Sequence, residues 1–291
     1  MTGTALITGA TGFIGGALTR RLLADGWTAH AILRPDSVLD IEHPALTAHR
    51  LNSAAEIAPV VNETRPDCVF HLASLFLAEH QPSQINALVE SNVTFGVHLA
   101  EAAASAGVAA FINTGTAWQH FEQRPYEPTN LYAATKQAFE DILRYYHSAH
   151  GLPCVTLRLY DTYGVGDKRR KLMQILIDTA QSGAVIEMSP GDQIVDLSHV
   201  DDIVSAFLLA AQRTRESQTP LWESFLLSGE RYSVKALVEV VAQALDKPIA
   251  ASFGGRPYRA REVMEPIAAT EQLPGWTRQT DIRSYLRQTG D

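Results

Sequence analysis

The sequence predicts an α/β protein, a doubly wound parallel sheet followed by a smaller C-terminal lobe. Three observations carry this. Short β-rich runs alternate with segments of helical spacing through the first half of the chain. One run, DCVFHLAS (67–74), is continuously apolar, as a strand buried on both faces must be. The rhythm then changes near residue 165, at the charged loop GVGDKRRK (164–171).

The elements follow in order. ALITG (5–9) is the first strand, and GGALTRRLLADG (15–26) a helix stopped at Gly26. TAHAILR (28–34) is the next strand. Residues 83–106 read as one long helix ending at Gly107. AAFINTGT (109–116) is a strand, 130–148 a helix and VTLRLY (155–160) a further strand. Beyond the charged loop, LMQILIDTAQSG (172–183) is helical. Residues 193–212 read as strand, polar turn and helix, and FLLSG (225–229) as a strand. Residues 250–291 read as short elements and loops.

Composition limits the function. The 291 residues are 46% hydrophobic and 19% charged, enough for a large core. A net charge of −8 argues against a nucleic-acid partner. Cys68 and Cys154 each sit in an apolar stretch and make neither a disulfide framework nor a metal cluster. No H-E-x-x-H or C-x-x-C motif is present, so no metal is expected. MTGTALITGATGFIG lacks the basic start and long apolar core of a secretory signal, and no apolar run approaches about 20 residues. The expectation is a cytoplasmic protein with no membrane span.

TGATGFIG (8–15) lies directly between the first strand and the first helix. Gly9, Gly12 and Gly15 permit a tight turn, close approach of the backbone to a pyrophosphate, and helix–strand packing. The helix N-terminus offers free N–H groups to the phosphates. This predicts a Rossmann-type dinucleotide site. At the end of the second strand, where an acid would hold a ribose hydroxyl of NAD, stands Arg34; Asp36 follows beyond Pro35. A guanidinium suits a 2′-phosphate, so NADP(H) is expected ahead of NAD(H). The dinucleotide-binding part is expected at 1–164, with 194–228 returning to it and the rest of 165–291 forming a substrate lobe.

In NLYAATKQAFEDILRYYHS (130–148), Tyr132 and Lys136 lie one helical turn apart on one face. A free tyrosine titrates near pH 10, too high for acid–base work at neutrality, and a nearby ammonium lowers that. Taken alone, the pair could also be two surface residues of an amphipathic helix. The strand before it ends at the sheet edge where ligands bind, with hydroxyls at both Thr114 and Thr116.

Several motifs together resemble the extended short-chain dehydrogenase/reductase family, the nucleotide-sugar epimerase/dehydratase group. They are TGATGFIG, HLAS (71–74), NVTFG (92–96), YAATK (132–136), YGVG (163–166) and HVDDI (199–203). The resemblance implies that Thr114, Tyr132 and Lys136 are catalytic, with Lys136 tuning Tyr132. It implies a cofactor site of Gly9, Thr11, Gly12, Phe13, Ile14, Gly15, Arg34, Leu72, Ala73, Lys136 and Tyr160. It also implies a homodimer through helices 83–106 and 130–148, which show second apolar stripes at Val89, Val93, Val97 and Ala100 and at Phe139, Ile142, Leu143 and Tyr146. His71 reads as a satisfied core histidine, His199 as a support for its strand–helix connection, and Asn92 as a link near the cofactor. Trp118, Gln119 and His120 are placed to face a sugar.

Two departures narrow the activity. Gly115 and Thr116 stand where sugar 4,6-dehydratases carry Asp-Glu, so water elimination is not expected. Val195-Asp196 stands where many UDP-sugar epimerases carry Arg-Asp, leaving Lys168, Arg169, Arg170 and Lys171 as candidate charges for a diphosphate. The phrasing of NTGTAWQH, DTYGVGDKRRKLM and MSPGDQIVDLSHVDD is similar to CDP-abequose/CDP-paratose synthase-type 4-ketoreductases. The expected reaction is NADPH-dependent reduction of the 4-keto group of a CDP- or dTDP-linked deoxysugar. The alternatives are an epimerase that retains NAD and a non-catalytic dinucleotide sensor, which has no need of Thr114, Tyr132 and Lys136 together.

Overall fold

The computed structural model describes residues 2–289. Strand β1 (Thr4–Thr8) is apolar and buried, and Gly9 ends it at φ +79°, a backbone state glycine adopts without strain. Then follow α1 (Phe13–Ala24), β2 (Thr28–Leu33), β3 (Leu46–Arg50), α2 (Ile57–Thr64) and β4 (Cys68–His71). Next come α3 (Ile85–Val89), α4 (Phe95–Ser105), β5 (Ala110–Thr116), α5 (Leu131–His150), β6 (Cys154–Leu159) and β7 (Asp161–Tyr163). The remainder is α6 (Leu172–Ser182), β8 (Val185–Met188), β9 (Ile194–His199), α7 (Val200–Glu216), β10 (Trp222–Leu227), β11 (Glu230–Ser233), α8 (Val234–Leu245), β12 (Ala250–Phe253) and α9 (Ile282–Thr289).

Seven parallel strands form the main sheet in the order β10-β6-β5-β4-β1-β2-β3. Strand direction of travel reverses between β1 and β4, the place where such sheets open a crevice. Alternate side chains feed two cores. Ala5, Ile7, Ala31, Phe70 and Ile112 pack under α1 and α7, whereas Leu6, Ile32, Val69 and Phe111 pack under α2, α4 and α5. A third core, around Tyr163, Leu176, Leu197, Leu237 and Val241, belongs to the second lobe. There β11-β9-β7 and β12-β8 form two small sheets.

The structure redraws several expectations. The long helix at 83–106 is two helices joined by a π-helical stretch, Glu90–Thr94. Residues 194–228 do not return as a unit: α7 packs on the main sheet and β10 pairs with β6, but β9 joins the small sheet. The stripe of Phe139, Leu143 and Tyr146 does not await a partner; these side chains are buried in the core under α4. Of the first stripe, Ala100 is buried and Val89 exposed.

Candidate active site

Helix α5 is set by its cap. Asn130 Oδ1 accepts from Ala133 N–H (2.9 Å), and Asn130 Nδ2 donates to Ala78 O (2.9 Å), tying the helix start to the loop after β4. Asn92, turned inward by the π-helical stretch, braces the same loop. It accepts from Leu75 N–H (2.7 Å) and donates to Leu75 O and to Thr135 Oγ1, both at 3.0 Å. Tyr132, Lys136 and Glu140 then follow on one face of the helix.

Burial dominates the electrostatics. It pushes the Tyr132 phenol up to about 12, opposed by a hydrogen bond with Ser74 and by the charge of Arg169. The lowering expected from Lys136 is not seen at the phenol, where burial prevails. Burial pushes Lys136 itself down to about 8, with Glu140 pulling it up. Lys136 is 2% exposed and, among the described residues, has no ion pair.

The two threonines part company. Thr114 is half-buried and donates to His71 O (2.8 Å). Thr116 caps a short turn instead, accepting from Trp118 N–H (3.3 Å). His71 is fully buried among Phe95, Phe111 and Phe139 and held near 3 by burial, with Lys136 adding to the effect. Its Nδ1 lies 2.8 Å from Thr8 Oγ1, but Nε2 has no partner among the described residues, so this core histidine is only half satisfied. His199 caps α7, accepting from Asp201 N–H (3.3 Å).

The glycine loop forms a cradle. A Cβ on Gly9 would lie 2.7 Å from both Ala73 N and Leu72 C, and one on Gly15 would strike the Gly9 carbonyl. Gly12 caps α1 with no side chain and no acid in the first turn, so the N–H groups of Phe13, Ile14 and Gly15 have no intrahelical acceptor, next to exposed Thr11. These groups fit a pyrophosphate. Arg34 is exposed just past β2, with no ion pair among the described residues, and Ser37 N–H closes the following turn on Arg34 O (3.1 Å). Tyr160, expected beside the cofactor, lines the second lobe's cleft, and its hydroxyl donates to Ile267 O (2.5 Å).

That cleft, of about 1010 Å³, opens between α5 and the second lobe. The Phe76 ring meets Tyr132 edge-on (5.0 Å) and Trp118 (5.5 Å), and Lys171 Nζ sits over Phe76 (4.4 Å) and 3.3 Å from Asp161. The basic quartet divides. Lys168 is 87% exposed and 3.5 Å from Asp40, while Arg169 grips Asp167 and stacks on Phe13 at 4.8 Å. Arg169, Arg170 and Lys171 line the cleft. Trp118 lines it too, but Gln119 and His120 turn inward, Gln119 reaching Glu140 (3.1 Å) and His120 Arg124 O (3.1 Å). Val195 lines the wall, and Asp196 beneath it takes donors from Ser228, Gly229 and Arg231. Arg256 and Arg259 were missed by sequence reasoning; the run RPYRAR (256–261) carried the signal.

A parallel sheet with a glycine cradle at its switch point and a large adjoining cleft defines a dinucleotide-dependent oxidoreductase class of fold. The chain belongs to the NAD dependent epimerase/dehydratase family, whose profile matches residues 5–222, and is an enzyme of oxidoreductase type. It is 27% identical over 273 residues to the CDP-abequose synthase of Yersinia pseudotuberculosis, covering 90% of each chain. It is 26% identical over 312 residues to the UDP-glucose 4-epimerase of Corynebacterium glutamicum, covering 97% of this chain and 93% of that one. The UDP-glucose 4-epimerase of Thermotoga maritima, solved with UDP-glucose, shares the fold: TM-score 0.84 at 21% identity over 99% of this chain and 97% of that one.

Proposed function

We propose that the protein reduces the 4-keto group of a nucleotide-activated deoxysugar with NADPH. The observation that carries this is the pairing of Tyr132 with Lys136 beside the cleft, in a chain similar to CDP-abequose synthase. Tyr132 lies one turn from Lys136 and packs edge-on against Phe76, which lines a cleft large enough for a nucleotide sugar. A protonated phenol can give its proton directly to a carbonyl oxygen.

NADPH, when bound, would supply the hydride for the carbonyl carbon. Tyr132 transfers its proton to the oxygen, giving a secondary alcohol, and Thr114 orients that oxygen by exchanging its bond to His71 O for one to substrate. Lys136, buried and without an ion pair, holds a cofactor ribose hydroxyl. Arg34 meets the 2′-phosphate. Arg170, Arg256 and Arg259 line the cleft without ion pairs among the described residues and serve a diphosphate in place of the arginine absent at Val195. The similarity to CDP-abequose synthase supports the sugar class. An epimerase that retains NAD is the second reading, favoured by the comparable likeness to UDP-glucose 4-epimerase. A homodimer is part of the proposal, with Val89 and Tyr145 exposed on the helices that would pair.

The test is absorbance-monitored oxidation of NADPH in the presence of 4-keto-6-deoxy sugars linked to CDP or dTDP. Stoichiometric loss of NADPH is expected, and Tyr132→Phe should lower turnover by about 100- to 10,000-fold. Sugar interconversion without net NADPH loss, or near-normal turnover in the variant, sinks the reading.

A further inference from the structure

The turn that follows β2 is held from outside by a second arginine. Arg50 ends β3, the edge strand, and is in register with Leu33, the last residue of β2. One of its terminal nitrogens, Nη1, donates to three carbonyls of that turn: Arg34 O (3.4 Å), Pro35 O (2.8 Å) and Ser37 O (2.7 Å). Together with the Ser37 N–H bond to Arg34 O, this fixes the conformation of the residues from which the Arg34 side chain projects. The remaining guanidinium nitrogens, Nη2 and Nε, make no hydrogen bond among the described residues.

The charge pattern is the second observation. Arg34, just past the end of β2, and Arg50, the last residue of β3, stand at the same end of neighbouring parallel strands at the edge of the sheet. Both are exposed, and neither has an ion pair among the described residues, although Asp36 lies in the same turn and Asp40 close by. Asp40 is instead taken up by Arg20 (3.1 Å) and Lys168 (3.5 Å). Two adjacent like charges repel unless an anion lies between them. A planar fork on each side suits the tetrahedral oxygens of a phosphomonoester.

We infer that Arg50 is a cofactor-specificity residue, which shapes the Arg34–Ser37 turn and joins Arg34 in holding the 2′-phosphate of NADP(H). The inference rests on the NADPH reading above and deepens it: position 34 alone does not set the preference. The adenosine ribose of either cofactor lies near the end of β2 in this class of sheet, so only the extra phosphate distinguishes them there.

The test is calorimetric titration of NADPH and of NADH into the full chain, wild type, Arg34→Ala, Arg50→Lys and Arg50→Met, with thermal melts to verify folding. In wild type NADPH should bind more tightly. Arg50→Met should weaken NADPH by about 10- to 100-fold, the worth of a lost charge-assisted hydrogen bond, while NADH changes by less than about 3-fold. Arg50→Lys should recover part of the loss, because charge remains but the fork does not. A wild type that prefers NADPH, and loses that preference in Arg34→Ala but not in Arg50→Met, overturns the inference alone. A parallel fall for both cofactors in a folded Arg50→Met also overturns it. A wild type that binds NADH as tightly as NADPH overturns the reading and the inference together.

Discussion

Lys136 places a charge where solvent cannot reach it, and the consequence is measurable. Its ammonium titrates near 8 in the folded protein against an ordinary 10.5, because burial disfavours the charged form. Between those values the unfolded chain binds more protons than the folded one, so stability rises as pH increases from about 8 to 10.5. Below that window the buried charge is a constant burden. Lys136→Met should therefore raise stability at neutral pH by about 2–3 kcal/mol in denaturant titration while abolishing cofactor-dependent turnover. A variant no more stable than wild type would mean that the ammonium is solvated after all. Tyr132 shows the complementary lesson. The sequence spacing placed Lys136 near it, but depth of burial, not the spacing, decides which way its phenol shifts.

At the level of the element, β5 and β6 explain why Gly115 has no side chain. It is in register with Arg158, whose side chain crosses it to reach Glu140 on α5 at 2.5 Å. A Cβ at 115 would lie 2.7 Å from Arg158 Cγ and 3.0 Å from Gln119 Oε1. The space beside Gly115 is thus filled by an ion pair and its amide brace. Gly115→Ala should cost about 1–3 kcal/mol, read as a lower melting temperature, because overpacked side chains must leave their rotamers. An unchanged melt would show that Arg158 can move aside freely. The same scale accounts for what sequence reading missed. LTAHR, the edge strand β3, is too polar to stand out, and β7, β8 and β12 are three or four residues long. Helix α8 went unread as well, although Val234, Leu237, Val238 and Val241 follow helical spacing and are buried.

The whole molecule is two cores on either side of one parallel sheet and a third in the second lobe. Among the described residues no helix is long and apolar enough to cross a membrane, and no group of three or more metal-ligating side chains is assembled. The sheet buries His71 completely, and this couples the centre of the molecule to acid. His71 titrates near 3 when folded and 6.5 when exposed, so the unfolded chain takes up the proton first and stability falls progressively as pH drops from about 6.5 to 3. Denaturant titrations over that range should show the decline, and His71→Asn, which cannot titrate, should flatten it. An equal slope in both proteins would assign the acid sensitivity to other groups.

The sequence by itself determined the local chemistry. Glycines at 9, 12 and 15 between strand and helix, a tyrosine and lysine one turn apart, and alternating apolar runs each act through neighbours a few residues away, so pattern suffices to read them. Tertiary structure decided what depends on distant chain segments meeting. It gave Thr114 a bond to the His71 carbonyl and Thr116 a capping duty. It took Tyr160 into the cleft and bound it to Ile267, more than a hundred residues away. It set Arg50 against the turn of Arg34 across two strands joined only by hydrogen bonds. Such contacts are fixed by register and packing between remote elements, and no single stretch of sequence contains both partners.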